Sequence, residues 1–100
     1  MSRFKSGNPD SNQAGMVKDL RDQGFSVAIT SGVGDGFGDL VVAYGGLNLL
    51  VEVKDPEKSP SARKLTEAEQ KFHDEWKGPI IVAETSDEVA RWFRLKEVYP

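Results

Sequence analysis

Cysteine is absent from the 100 residues, which excludes disulfide scaffolds, cysteine zinc sites and thiol nucleophiles. Histidine occurs once, at His73; this excludes a multi-histidine metal cage and argues against a histidine-based catalytic triad. No apolar run approaches the ~20 residues a membrane span needs. Internal repeats and low-complexity blocks are also missing. Strong charge of either sign is lacking: 13 Lys and Arg stand against 16 Asp and Glu, a formal net charge of −3. A purely cationic DNA coat is thereby excluded, though a nucleic-acid enzyme with a local basic rim is not. Arg3 and Lys5 near the N-terminus have no apolar stretch behind them and do not read as a signal peptide. The expectation is a soluble cytoplasmic protein that meets no membrane.

A chain of this size makes one domain and buries roughly two-thirds of its unfolded surface. Residues 1–8 read as a flexible N-terminus and 9–100 as the domain. Asn8-Pro9-Asp10-Ser11 is rich in helix-start residues, and a helix is predicted from Asn12 to Gln23, with Val17 and Leu20 inward, Ala14 and Met16 as further inward candidates and Gly24 as its cap. Phe25, Val27 and Ile29 recur at period two, which predicts a strand over Phe25 to Thr30. A loop with Gly32, Gly34, Gly36 and Gly38 follows. Strands are then expected from Asp39 to Tyr44 and from Leu47 to Lys54, joined by Gly45-Gly46, a strong two-residue hairpin signal. Pro56 and Pro60 keep the next connection irregular. Thr66-Glu67-Ala68-Glu69 fits a capping box opening a helix that Gly78-Pro79 ends. Ile80 to Ala83 reads as an apolar strand covered on both faces, and Ser86 as the cap of a last helix with Val89, Trp92 and Phe93 inward. The order αβββαβα predicts an α/β fold with a mixed sheet flanked by helices, its last strand parallel to a hairpin strand.

A diglycine loop fixes the hairpin register. Tyr44 then faces Leu47 and Val42 faces Leu49, and the same count sets Asp39 opposite Glu52. Opposed residues have Cβ atoms about 4.5–5.5 Å apart, so two carboxylates stand side by side with Lys54 on the same face. The other face (Leu40, Val42, Tyr44, Leu47, Leu49, Val51 and Val53) must be core. Opposed like charges at an apolar surface are unfavourable unless one carboxyl holds a proton or a cation sits between them. Three readings follow. Asp39 ends a loop and Glu52 pairs with Lys54 on the surface. A hard divalent ion bridges the carboxylates, as Mg²⁺ does with one or two carboxylates plus a phosphate. Or the two form a protonated general-acid pair.

Gly38-Asp39 followed across a hairpin by Glu52-Val53-Lys54 resembles the PD-(D/E)XK nuclease superfamily, with Gly38 where the signature often has Pro. The small VRR-NUC type of viral and bacterial nuclease is the nearer likeness. It is carried by Asp10-Ser11-Asn12-Gln13, Gly34-Asp35-Gly36-Phe37-Gly38-Asp39-Leu40, Leu50-Val51-Glu52-Val53-Lys54-Asp55 and Lys64-Leu65-Thr66. The resemblance implies a restriction-endonuclease-like core. It implies Mg²⁺ or Mn²⁺ held by Asp39, Glu52 and the main-chain carbonyl of Val53, with Lys54 orienting the attacking water and stabilising developing phosphorane charge. Such nucleases carry a Glu on the first helix; here Gly15 occupies a matching place, with Gln13, Asn12 or Asp10 as substitutes. They also tend to place a Gln on the helix after the strand that ends in Lys54. Ala68, Phe72 and Trp76 form an apolar stripe on that helix; Glu69 borders it and Gln70 points away, which favours Glu69 as the site-facing residue over Gln70.

Other features have competing readings. The glycine loop precedes a strand rather than a helix, so it is not a nucleotide-binding loop; Asp35 in it is a turn former or an outer group of the site. Lys58, Arg63 and Lys64 make a basic arm for phosphate contacts, joined by Gln13, or else an ordinary solvated loop. His73 reads as a helix-edge histidine. Trp76, Trp92 and Phe93 read as core, with base stacking the rival. The expected function is a divalent-metal-dependent endonuclease acting on branched or otherwise structured DNA in viral or bacterial replication or repair, in the host cytoplasm if viral, and as a homodimer. A catalytically weak nucleic-acid-binding or partner module that keeps the fold is the alternative. A small-phosphoester hydrolase is a remote third.

Overall fold

Gly45 and Gly46 both hold positive φ, 59° and 84°. A two-residue hairpin loop needs this conformation, and glycine adopts it without Cβ strain. In the computed structural model, which describes residues 12–100, the bend joins β2 (Leu40–Tyr44) to β3 (Leu47–Val53). Tyr44 pairs with Leu47, Val42 with Leu49 and Leu40 with Val51, the predicted register. The expectations for Asn8-Pro9-Asp10-Ser11 and for flexible residues 1–8 lie outside the described residues.

β1 (Ser26–Ile29) adds antiparallel to β2, and β4 (Ile80–Ala83) adds parallel to β3. The sheet order is β1-β2-β3-β4. With α1 (Gln13–Asp22), α2 (Glu67–Glu75) and α3 (Ser86–Leu95) the described residues form an α/β fold of a four-stranded mixed sheet and three helices. Among them no helix is long and apolar enough to cross a membrane. One short 3-10 turn, Ser61–Arg63, follows Pro60 in the connection expected to be irregular.

The core occupies one face of the sheet. Met16, Val17 and Leu20 of α1 and Val89, Ala90 and Phe93 of α3 close over Leu40, Val42, Leu49, Val51 and Val53. Phe25 joins this core through Phe93 (ring centroids 5.1 Å apart) and the C-terminal Tyr99 (4.4 Å). Tyr99 Oη donates to the Gln23 carbonyl (3.2 Å), tying the chain end to the end of α1. Gly24, with φ of 98°, ends that helix as expected.

Ile29, on the edge strand β1, is 56% exposed. Several expectations change. Ala14 is exposed, and Gln13 takes the buried first-turn position. Val82 is 41% exposed: β4 is the other edge, so its apolar run is not covered on both faces. The cap of α3 is Thr85 rather than Ser86, in a capping box with Glu88. Trp92 is half-buried and Phe93 fully buried, but Trp76 is 41% exposed and is not core.

Helix α2 buries none of its residues. The glycine loop and Lys54 hold it instead. Gly36 (φ 80°) lies so close that a Cβ would stand 2.7 Å from the Ala68 carbonyl carbon. Phe37 packs on Phe72 (5.3 Å) and Trp76 (6.3 Å). Gly36→Ala is therefore expected to destabilise the fold by more than about 1 kcal/mol in urea unfolding. Gly32→Ala, which meets nothing within 4 Å, is expected to be neutral or mildly stabilising in the same measurement.

Candidate functional site

Asp39 stands just before β2, where the glycine loop enters the sheet. Its amide donates to the Val51 carbonyl (2.8 Å) and its carbonyl accepts from the Thr30 amide (2.7 Å). Its Oδ2 accepts from the Val53 amide (2.8 Å), a charge-assisted hydrogen bond that latches the side chain onto β3. Gly38 permits this approach: a Cβ there would stand 3.1 Å from the Val51 carbonyl oxygen.

Alternation along β3 turns Val51 and Val53 into the core and Glu52 and Lys54 to the other face. Glu52 is nevertheless only 3% exposed. Burial is the largest influence on its carboxyl, whose pKa is pushed up to about 9. A hydrogen bond with Glu69 and the negative charges of Asp39 and Glu69 act in the same direction, as does a hydrogen bond with Asp39. Glu52 thus keeps a proton at neutral pH and shares it with its two carboxylate neighbours.

Lys54 is buried as well. Its amide donates to the Ala83 carbonyl of β4 (3.0 Å), and its carbonyl accepts from Asn12 Nδ2 at the start of α1 (3.1 Å). Asn12 Nδ2 also donates to the Glu84 carbonyl (3.0 Å), so one side chain clamps the ends of β3 and β4. The Lys54 ammonium reaches Glu69 Oε1 at 3.1 Å and Glu52 Oε2 at 3.7 Å.

Glu69 is presented by the capping box of α2. Thr66 Oγ1 accepts from the Glu69 amide, and Glu69 Oε1 accepts from the Thr66 amide (2.9 Å). Burial opposes ionisation of Glu69. The Thr66 amide, the hydrogen bonds with Glu52 and Lys54, and the Lys54 charge outweigh it and hold its pKa below the ordinary carboxylate value. One carboxyl of the pair is thus kept neutral and the other kept charged. His73, one turn further along α2, has its pKa lowered, first by burial and also by Lys54, against the pull of Glu69 and Asp74. Its Nε2 is buried without a partner.

The structure therefore brings together Asp39, Glu52, Lys54 and Glu69, with Val53 supplying its amide to Asp39. It does not bring in Gln70, whose Nε2 donates to Asp74 on the outer side of α2 (2.8 Å). The surface Glu52–Lys54 couple is overturned, since both side chains are buried. Gln13, expected to touch nucleic acid, is 8% exposed; its Nε2 approaches Ser31 Oγ (3.4 Å) and its Oε1 has no partner. Gln13, not Gly15, is the buried polar residue of α1; Gly15 lines a cleft with Asp19, Thr85 and Ser86. Lys58 and Lys64 are exposed, whereas Arg63 is drawn to Glu84 Oε2 (3.2 Å). Asp35 holds φ of 57° at an exposed loop tip, the turn-former role. Sequence reasoning missed the burial of Asp55, whose Oδ1 accepts from the Glu57 amide (2.9 Å). An Asp two residues ahead of that amide is the signal that could have found it.

The chain matches no protein-family model, no curated protein and no solved structure. Its site must be judged on its own chemistry. Among the described residues no three Asp, Glu, His or Cys side chains are spaced as a ready metal cage. Mg²⁺, however, uses one or two carboxylates and fills its other positions with water or phosphate. Asp39 and Glu52 supply that number of hard oxygen donors. The Glu52 carboxyl lies within hydrogen-bonding reach of Asp39 and Glu69, so hard oxygens stand side by side and the donor set fits a divalent ion.

A pH dependence follows. In the window between the ordinary 4.5 and about 9, folded Glu52 holds a proton that the unfolded chain has lost. Its contribution to stability is complete below that window and is lost as pH rises through it. In EDTA, the Tm of the wild type is expected to fall across this range through Glu52, and Glu52→Gln to flatten that fall in parallel thermal scans.

Proposed function

We propose that this protein is a divalent-metal-dependent endonuclease of the PD-(D/E)XK type that hydrolyses DNA phosphodiester bonds. The observation that carries the reading is the convergence of Asp39, Glu52 and Lys54 at one end of a hairpin, with Glu69 reaching Lys54 from α2. A parallel β4 reached through α2 is what a restriction-endonuclease-like core requires. Cytoplasmic action on branched or structured DNA, as a homodimer, belongs to the same proposal.

Asp39 and Glu52, with the Val53 carbonyl, are the residues that would hold Mg²⁺ or Mn²⁺. When bound, such an ion supplies positive charge against the phosphate and acidifies water. The rest of the chemistry belongs to the chain. Lys54 carries a fixed ammonium to the place where charge develops on the phosphate, in surroundings of low dielectric where that charge acts strongly. Glu69 positions this ammonium. Lys58 and Lys64, both exposed, would meet flanking phosphates on this reading.

Gln13 favours the rival reading, a catalytically weak binding module, because α1 contributes a neutral side chain where a third anion could stand. Nicking of supercoiled plasmid and cleavage of junction DNA in Mg²⁺ or Mn²⁺ separate the two. The wild type is expected to cut both and to stop in EDTA. Lys54→Ala, with its fold verified by circular dichroism, is expected to lose at least about 100-fold in rate. DNA binding with no cleavage in either metal would establish the rival.

A further inference from the structure

Trp76 is an unusual place to leave an indole in the open. Among the described residues no other aromatic ring is among the exposed large apolar side chains. Phe72 stacks under it, with ring centroids 5.1 Å apart and planes 18° apart. Phe37 meets its edge at 6.3 Å and 79°. A Cβ on residue 78 would stand 2.9 Å from the indole Nε1, so glycine there lets the backbone pass beneath the ring edge. The ring is thus held rigidly from below and yet is 41% exposed. The other tryptophan differs: Trp92 is half-buried against Phe93 (4.9 Å) and under the Lys96 ammonium (5.2 Å).

Its position relative to the acidic cluster carries the inference. Trp76 follows Glu69 by two helical turns on the same face of α2, with Phe72 and His73 between. That separation is about 10 Å along the axis at 1.5 Å per residue, about three base steps at 3.4 Å each. The acids of the last turns are engaged by neighbours: Asp74 is bonded by Gln70 (2.8 Å), and Glu75, which shares a cleft with Phe72, pairs with Lys71 (4.0 Å). Lys77, next in the chain, is exposed. A preorganised indole with a supported underside, at this distance from a phosphate-cutting centre, suits a nucleobase.

Building on the nuclease reading, we propose that Trp76 is the stacking platform for an unpaired nucleobase of the DNA strand whose phosphate lies at Asp39, Glu52 and Lys54. A base inside a duplex has both faces covered by its neighbours and must be unstacked before it can use the ring. A single-stranded tail, flap or branch offers a free face. Trp76 is therefore a specificity-determining residue that favours DNA with an unpaired base within a few nucleotides of the cut.

The test uses the full chain carrying Trp92→Phe, so that Trp76 is its one indole. Fluorescence is titrated in EDTA with a short single-stranded oligonucleotide and with the duplex of the same sequence. Quenching by the single strand and not by the duplex is expected. Trp76→Leu, which keeps apolar bulk and removes the π-face, is expected to weaken single-strand binding roughly 5- to 150-fold, with Trp76→Phe close to wild type. Circular dichroism checks that both variants fold. Single-strand affinity unchanged in a folded Trp76→Leu variant overturns the proposal, as does equal quenching by duplex. Cleavage by a wild type whose Trp76 is not quenched also overturns it and leaves the nuclease standing. Quenching without cleavage in Mg²⁺ or Mn²⁺ overturns the nuclease and leaves Trp76 as a base-binding residue.

Discussion

The ammonium of Lys54 is the point on which the site depends. A buried cation is strongly unfavourable unless opposite charge meets it, and here the Glu69 carboxylate at 3.1 Å does so, with the Glu52 carboxyl beside it at 3.7 Å. The backbone of the same residue is equally committed, to β4 through Ala83 and to α1 through Asn12. Three elements besides its own strand therefore converge on one lysine. Removing the ammonium strands two carboxyls in low dielectric and cuts the polar tie between the sheet and α2. The group that would meet the phosphate under the nuclease reading is also a keystone of packing, so the site cannot relax without the fold noticing.

The two faces of the sheet are built on different principles. One is closed by α1 and α3, whose buried side chains are apolar apart from Gln13. The other is closed by α2, which buries none of its own residues and rests on Phe37, Gly36 and the Lys54 ion pair. Elements held by few buried apolar contacts open at lower free energy than the core. The raised pKa of Glu52 depends on Glu69 and on burial beneath α2. The chemistry of the site is thus set by the least firmly attached helix, while the hairpin carrying Asp39, Glu52 and Lys54 belongs to the most firmly attached strands.

What could be read from the sequence was what local chemistry makes unique. Two adjacent glycines at a bend leave little choice of loop, so the register and the meeting of Asp39 with Glu52 were legible. Helical angles alone separated Glu69 from Gln70. The capping residue of α3 was also within reach: Glu88 lies three residues after Thr85, whereas Val89 lies three after Ser86, and only the first pair makes a capping box. Periodicity tells which residues share a face but not what covers that face. For that reason Trp76 reads as core and Val82 as covered on both faces, and both are exposed, the second because an apolar run reads alike in a central and an edge strand. The Asn12 clamp joins residues 42 and 72 positions apart, and no local signal reaches so far. The depth of Glu52 was hidden for the same reason, since α2 covers it from another part of the chain.

Charge ties the site to the whole molecule. A net charge of −3 is a poor start for a protein that would meet a polyanion. With a proton on Glu52, the carboxylates about Lys54 leave little to attract an incoming phosphodiester. Under the nuclease reading, a divalent cation that displaced this proton would set its two charges against the carboxylates. Metal and substrate would then favour each other: the ion would enter more readily when a phosphate completes its oxygen ligands, and the phosphate would be held more tightly with the ion in place. On that reading an acidic chain with a buried, proton-holding carboxyl would be better suited to cut DNA on contact with metal than to coat it, because the cation that the chemistry requires would also strengthen its hold on the phosphate.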